Sequence, residues 1–155
     1  MMKDGFINSL KRWINSVLTR RPHKHFTDEI SVLDYEQMIS LDAEDLAELG
    51  IKKAYDAMQP TLQQYVTTIT PVSEMIDEET GRYSVVANGV QYDVYPPSGD
   101  EDNSWGLAAC ALFDIVNRQL VNSDYKFYAI NGGNDLGGMF LTQEQYRAAI
   151  RSLPG

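Results

Sequence analysis

The chain has 155 residues, 43% of them apolar and 23% charged, and a formal net charge of −9. That length suits one domain with a sizeable core, and an aromatic content of 10% argues against disorder. The single cysteine, Cys110, excludes an intrachain disulfide, and no stretch approaches the roughly 20 apolar residues a membrane span needs.

The charge is divided unevenly. Residues 1–26 carry six basic side chains and one acid, a net +5, while residues 27–155 carry seven basic and 21 acidic groups, a net −14. Two regions are therefore expected: a basic amphipathic helix with its linker over 1–26, and an acidic α+β domain over 27–155. The acidic body should repel nucleic acid and anionic lipid and attract basic partners. Lys11, Arg12 and Asn15 interrupt the apolar residues near the N-terminus, which is unlike a secretory signal. A lone cysteine suits a reducing compartment, so a cytoplasmic protein is expected.

Phe6, Ile7, Leu10, Trp13, Ile14, Val17 and Leu18 recur with a 3.6-residue period and predict an amphipathic helix over 5–20. Arg20 and Arg21 suit its C-terminus, and Pro22 stops it. Residues 21–26 read as a linker. A second helical region is expected in pieces over about 34–66. Asp42 can cap a helix ending at Leu49, Gly50 then reads as a Schellman ending with Ile51 folding back on Leu46, and Pro60 begins a new turn after a helix over 52–59. The run LDAEDLAELGI, residues 41–51, resembles one helix-end motif of sterile-alpha-motif domains.

From residue 70 the period changes to two. Tyr83, Val85 and Ala87 alternate on one side of Asn88-Gly89, and Val90, Tyr92 and Val94 on the other. Asn-Gly favours a type I′ turn, which predicts the pairs Ala87–Val90, Val85–Tyr92 and Tyr83–Val94 on one face. A further strand over 72–76 can join through a turn at 78–81. After a loop over 96–103, a helix is predicted over 104–121, capped by Asn103 or Ser104, with a mostly apolar stripe through Trp105, Ala108, Leu112, Ile115 and Gln119. Strands follow at 125–130 and 139–141. Thr142 and Gln145 form a capping box for the last helix, with Leu141 and Tyr146 as its staple. The expected fold is α+β: one antiparallel sheet of about four or five strands with helices mainly on one face.

No residues form a catalytic constellation. The loop over 131–138 holds four glycines in eight residues and can expose backbone N–H groups, but it lacks the Gly-Lys-Ser/Thr of a phosphate loop. Its simplest reading is a wide turn. His23 and His25 have no third histidine or nearby cysteine to complete a metal site. Cys110 sits among Ala109, Ala111 and Leu112, where packing is the better reading than nucleophilic chemistry. The acidic runs at 77–79 and 100–102 lie in turns, as solvated groups or as a docking face for a cationic partner. Neither a cofactor nor a metal is expected. Helix 5–20 can pack on the body, pack on a second copy in a homodimer, or lie on an anionic membrane; packing is the preferred reading, because most such helices are core helices.

The small acidic α+β profile and the stretch WGLAACALFDIVNRQL…YKFYAINGGNDLGGMFLTQEQYRAAI, residues 105–150, resemble the bacterial immunity proteins that neutralise toxins of interbacterial competition. The resemblance implies a non-catalytic inhibitor whose partner is a cognate toxin, basic where it is a nuclease, with the toxin's active site occluded. The expected binding surface is Asn131, Gly132, Gly133, Asn134 and Asp135, with Asp100, Glu101 and Asp102 and the tyrosines Tyr92 and Tyr95 as anchors. The alternative is a peripheral membrane or scaffold protein anchored by helix 5–20.

Overall fold

The computed structural model describes residues 33–95, 101–131 and 136–151, with the backbone alone for 101–103 and 131. The helix expected over 5–20 and the His23/His25 pair lie outside the described residues.

Asn88 and Gly89 dictate the most local part of the fold. Their φ values of 53° and 71° make the left-handed two-residue turn expected of Asn-Gly. The turn joins β3 (Arg82–Ala87) to β4 (Val90–Tyr95), and β2 (Ser73–Asp77) adds to β3 through the turn at 78–81, giving an antiparallel meander β2-β3-β4. Ala87 faces Val90 and Val85 faces Tyr92, as the alternation predicts. Beyond them a bulge between Tyr83 and Ser84 sets Tyr83 opposite Tyr95, so the expected Tyr83–Val94 pair does not form. The extra residue increases local twist while Val94 stays fully buried.

A second antiparallel sheet has the order β1-β6-β5, from β1 (Ile39–Ser40), β5 (Tyr125–Asn131) and β6 (Gly137–Thr142). The expected single sheet of four or five strands is therefore corrected to two sheets of three. Strand β6 starts at Gly137, not at Met139, so half of the glycines in the 131–138 stretch belong to a strand. Gly138 pairs with Ala129, and the ring of Phe127 lies where a Cβ of residue 138 would project.

The sheets are separate because a helix lies between them. Helix α3 (Glu101–Gln119) packs on β4 of one sheet and β5 of the other, as well as on α1 (Ala43–Glu48) and α2 (Ile51–Leu62). Residues 108–116 are buried without interruption. The expectation of one apolar stripe is thus corrected: the central run of α3 is buried on every side, while Gly106 and Arg118 nearer its ends are exposed. It also begins earlier than expected, so Asn103 and Ser104 lie inside it and do not cap it. Phe113 stacks on Phe127 at 4.6 Å, and Phe127 meets Phe140 at 4.8 Å, which carries the core from α3 into the second sheet.

The smaller helices follow local chemistry. Asp42 caps α1 through the N–H groups of Glu44 (2.9 Å) and Asp45 (3.2 Å). Helix α2 runs unbroken past Pro60, because proline removes one hydrogen bond only two residues before the helix ends. Thr142 and Gln145 exchange both bonds of a capping box, at 2.9 and 3.2 Å, at the start of α4 (Gln143–Arg151). Tyr146 of that helix stacks on Tyr128, with ring centroids 4.0 Å apart. Among the described residues no helix is long and apolar enough to cross a membrane.

Two glycines make opposite predictions. Gly138→Ala drives a methyl group into the Phe127 ring and should cost about 1–3 kcal/mol in urea unfolding. Gly106 is exposed within α3 with open space around its Cα, so Gly106→Ala should raise stability by about 0.5–1 kcal/mol.

Candidate functional site

The most conspicuous polar group lies in the core. Asp114 sits in the apolar run of α3 and is 2% exposed. Its Oδ2 accepts from the Tyr92 hydroxyl at 2.5 Å and from Arg118 Nε at 2.8 Å, while its Oδ1 is buried with no hydrogen-bond partner. Burial and the neighbouring carboxylate push the Tyr92 phenol well above its ordinary value of 10.0. The bond to Asp114 likewise raises the Arg118 guanidinium, whose side chain reaches solvent. Asp114 lines neither the groove beside α1 and α2 nor the depression beside β2. The arrangement ties α3 to β4, and the carboxylate is already engaged by its own fold. A single carboxylate amid an apolar helical run was its signal in the sequence.

Other polar side chains of α3 act in the same way. Asn117 brackets the backbone of Phe127, receiving its N–H at 2.7 Å and donating to its carbonyl at 2.9 Å. Gln119 Nε2 donates to the Tyr55 hydroxyl at 2.9 Å and its Oε1 accepts the Thr70 N–H at 2.9 Å. Tyr55 donates onward to the Thr70 carbonyl at 2.5 Å.

A second network replaces the expected Schellman ending at Gly50. That residue has φ 103° and lies against Glu74, so a side chain there would strike the carboxylate. The N–H groups of Ile51 and Lys52 are taken by the Tyr83 hydroxyl and by Glu74 Oε1, each at 3.0 Å. Tyr83 donates to the same carboxylate oxygen at 2.8 Å. Strands β2 and β3 thus cap helix α2 from outside it, with a negative charge at its N-terminus. Burial and the bond to Glu74 also push the Tyr83 phenol upward.

The surface offers two features. Strand β2 is the outer strand of its sheet, and all five of its residues are exposed, including Met75 (46%) and Ile76 (69%). It ends in the acidic turn Asp77-Glu78-Glu79, where the Thr80 hydroxyl and the N–H groups of Thr80 and Glu79 hold the Asp77 carboxyl below the usual carboxylate range. The second feature is a groove of about 300 Å³ between β1, α1 and α2. Ile39, Leu41, Leu46, Leu49, Ala57 and Met58 supply its apolar lining, and Asp42, Asp45 and Lys53 its charges.

Of the residues expected to bind a partner, Tyr92 is turned inward. It is 9% exposed and its hydroxyl is held by Asp114, so it is corrected from surface anchor to core residue. Tyr95 is half-buried at the end of β4 and packs on the core. Glu101 and Asp102 open helix α3 and Asn131 closes β5, while Asp100, Gly132, Gly133, Asn134 and Asp135 lie outside the described residues. Asp77 faces Arg82 and Tyr83 faces Tyr95, so the acidic turn and the exit from β4 occupy one end of the meander. Helix α3 begins six residues after Tyr95, within about 20 Å. Phe127 contacts Phe113 and Asn117, so β5 packs against α3. Among the described residues no three metal-ligating side chains converge.

Set against models of known protein families, curated protein sequences and solved structures, the chain finds no match.

Asp114→Ala leaves the buried Tyr92 hydroxyl without an acceptor and should cost about 3 kcal/mol in denaturant unfolding, with Asp114→Asn costing less because an acceptor remains. Tyr83 and Tyr92 both have raised values in the folded chain, so the folded state retains protons that the unfolded state releases. Their stabilisation is complete below the unfolded value of 10.0 and falls as pH rises through and above it. Tyr92→Phe and Tyr83→Phe should each flatten the loss of stability above pH 10.0 in alkaline melts.

Proposed function

We propose that the chain is a non-catalytic protein-binding module, an inhibitor of the immunity-protein kind that captures a basic toxin and occludes its active site. Strand β2 is the observation that carries this reading. Among the described residues no strand pairs with the outer edge of β2, so this exposed strand can offer backbone donors and acceptors to a partner strand. Met75 and Ile76 add apolar contact area beside those groups. The adjoining turn Asp77-Glu78-Glu79 supplies negative charge, and the −14 of residues 27–155 extends that field over the body. A field of this sign speeds encounter with a basic protein.

In this reading Asp100, Glu101 and Asp102, the loop Asn131 to Asp135 and Tyr95 also contribute to partner binding. The lone core carboxylate, Asp114, is engaged by Tyr92 and Arg118, which favours binding over acid–base chemistry. A buried single cysteine suits the reducing cytoplasm, where we place the protein.

The product of the reading frame adjacent to this one is the partner to assay, by calorimetry and stopped-flow association at several salt concentrations. A 1:1 complex is expected. Ile76→Asp should weaken it about tenfold or more. Glu78→Gln with Glu79→Gln should slow association and reduce its salt dependence, as should neutralising Asp100, Asp102 and Asp135 together. Absence of a complex with either neighbouring product, or a complex indifferent to all of these substitutions, removes the inhibitor reading.

A further inference from the structure

The groove between β1, α1 and α2 has an apolar lining with Asp42, Asp45 and Lys53 as its charged members. We infer that it receives the apolar face of residues 5–20 of the same chain, docked as a helix. Three observations select this occupant. The first is pattern: residues 5–20 carry seven apolar side chains at helical spacing, a face that must be covered, and the groove of about 300 Å³ has room for two or three of them. Leu10, Ile14 and Val17 lie at the centre of that face.

The second is charge. Residues 5–21 contain Lys11, Arg12, Arg20 and Arg21 and no acid. Asp42, Asp45 and Leu46 form one wall, and residues 42–48 contain four acids and no base. Lys53 is the only base of the lining. A basic helix seated on this wall keeps its cations near Asp42 and Asp45 while its apolar stripe faces Leu46, Leu49 and Met58.

The third is reach. Residues 22–38 connect the segment to Ile39, which is itself a wall of the groove. Seventeen residues extend to roughly 55–60 Å, which exceeds the roughly 35–40 Å diameter of a body of this size. The +5 segment then acts on the −14 body itself, and the membrane-anchor role of the helix is given up for an internal one.

Trp13 reports on the docking in full-length protein carrying Trp105→Phe, which leaves one indole. Its emission should be blue-shifted, and Ala57→Glu at the exposed centre of the groove should shift it to the red with the far-UV spectrum of the body retained. A Trp13 emission typical of a solvated indole, or one unchanged by Ala57→Glu, overturns the inference. An independent trap is Ile14→Cys combined with Ala57→Cys, since native Cys110 is buried. An intrachain disulfide on a monomer supports docking in cis. A disulfide-linked dimer shows a second copy in the groove and overturns it. A blue shift that arises only when phosphatidylglycerol vesicles are added also overturns it, in favour of a membrane surface. Toxin binding is read separately, so failure here leaves the role of β2 undisturbed.

Discussion

The central run of helix α3 can be buried on every side only because the helix's polar side chains have partners in each layer it touches. Apolar burial is non-directional and does not set the rotation of such a helix about its axis. Hydrogen bonds do. Asp114 aims one side of the helix at β4 through Tyr92, Asn117 aims another at β5 through the Phe127 backbone, and Gln119 aims a third at Tyr55 of α2. Three bonds in three directions leave one setting. Both sheets then find their places against a helix whose orientation is already determined.

Much of the local structure was legible because its causes lie within a few residues. Asn88-Gly89 makes its own turn, Asp42 caps the helix beside it, and Thr142 and Gln145 satisfy each other across three positions. The division into two sheets was not legible, because it depends on a helix inserting between strands far from it in sequence. Tyr92 looked like a surface anchor since alternation alone assigns a face and cannot say what lies opposite; the acceptor that draws it inward is 22 residues away. Gly50 looked like a helix ending, but its partners come from β2 and β3. Gly137 and Gly138 suggested an open loop, whereas Gly138 answers to the Phe127 ring on the neighbouring strand. For the candidate binding surface, the acidic turns were readable, while the exposure of every residue in β2 was a property of sheet order.

The two ends of the charge scale are handled differently across this surface. Asp77 spends its carboxylate on its own turn, so what it offers a partner is field strength more than a directional bond. Glu74, on the same strand, is turned toward α2 and serves the helix N-terminus. Arg82 and Asp93 pair at 3.4 Å near solvent, where such a pair adds little stability and locally cancels charge. The negative potential available to a partner therefore rests mainly on Glu78 and Glu79 at that end of the meander.

Strand β1 has only two residues, yet it pairs with positions about a hundred residues further along the chain. Loop-closure entropy grows only slowly with length, but so short a ladder supplies few bonds to offset it. The β2-β3-β4 meander, by contrast, assembles from neighbours and can form early. Two paired residues can open without disturbing the core strands, which makes β1 a small local unit at the edge of the second sheet. Hydrogen exchange at Ile39 and Ser40 would run ahead of that in the core strands. The wall of the groove that β1 supplies is accordingly joined to its sheet by two residue pairs, and anything that packs on Ile39 and Ser40 would hold that edge closed.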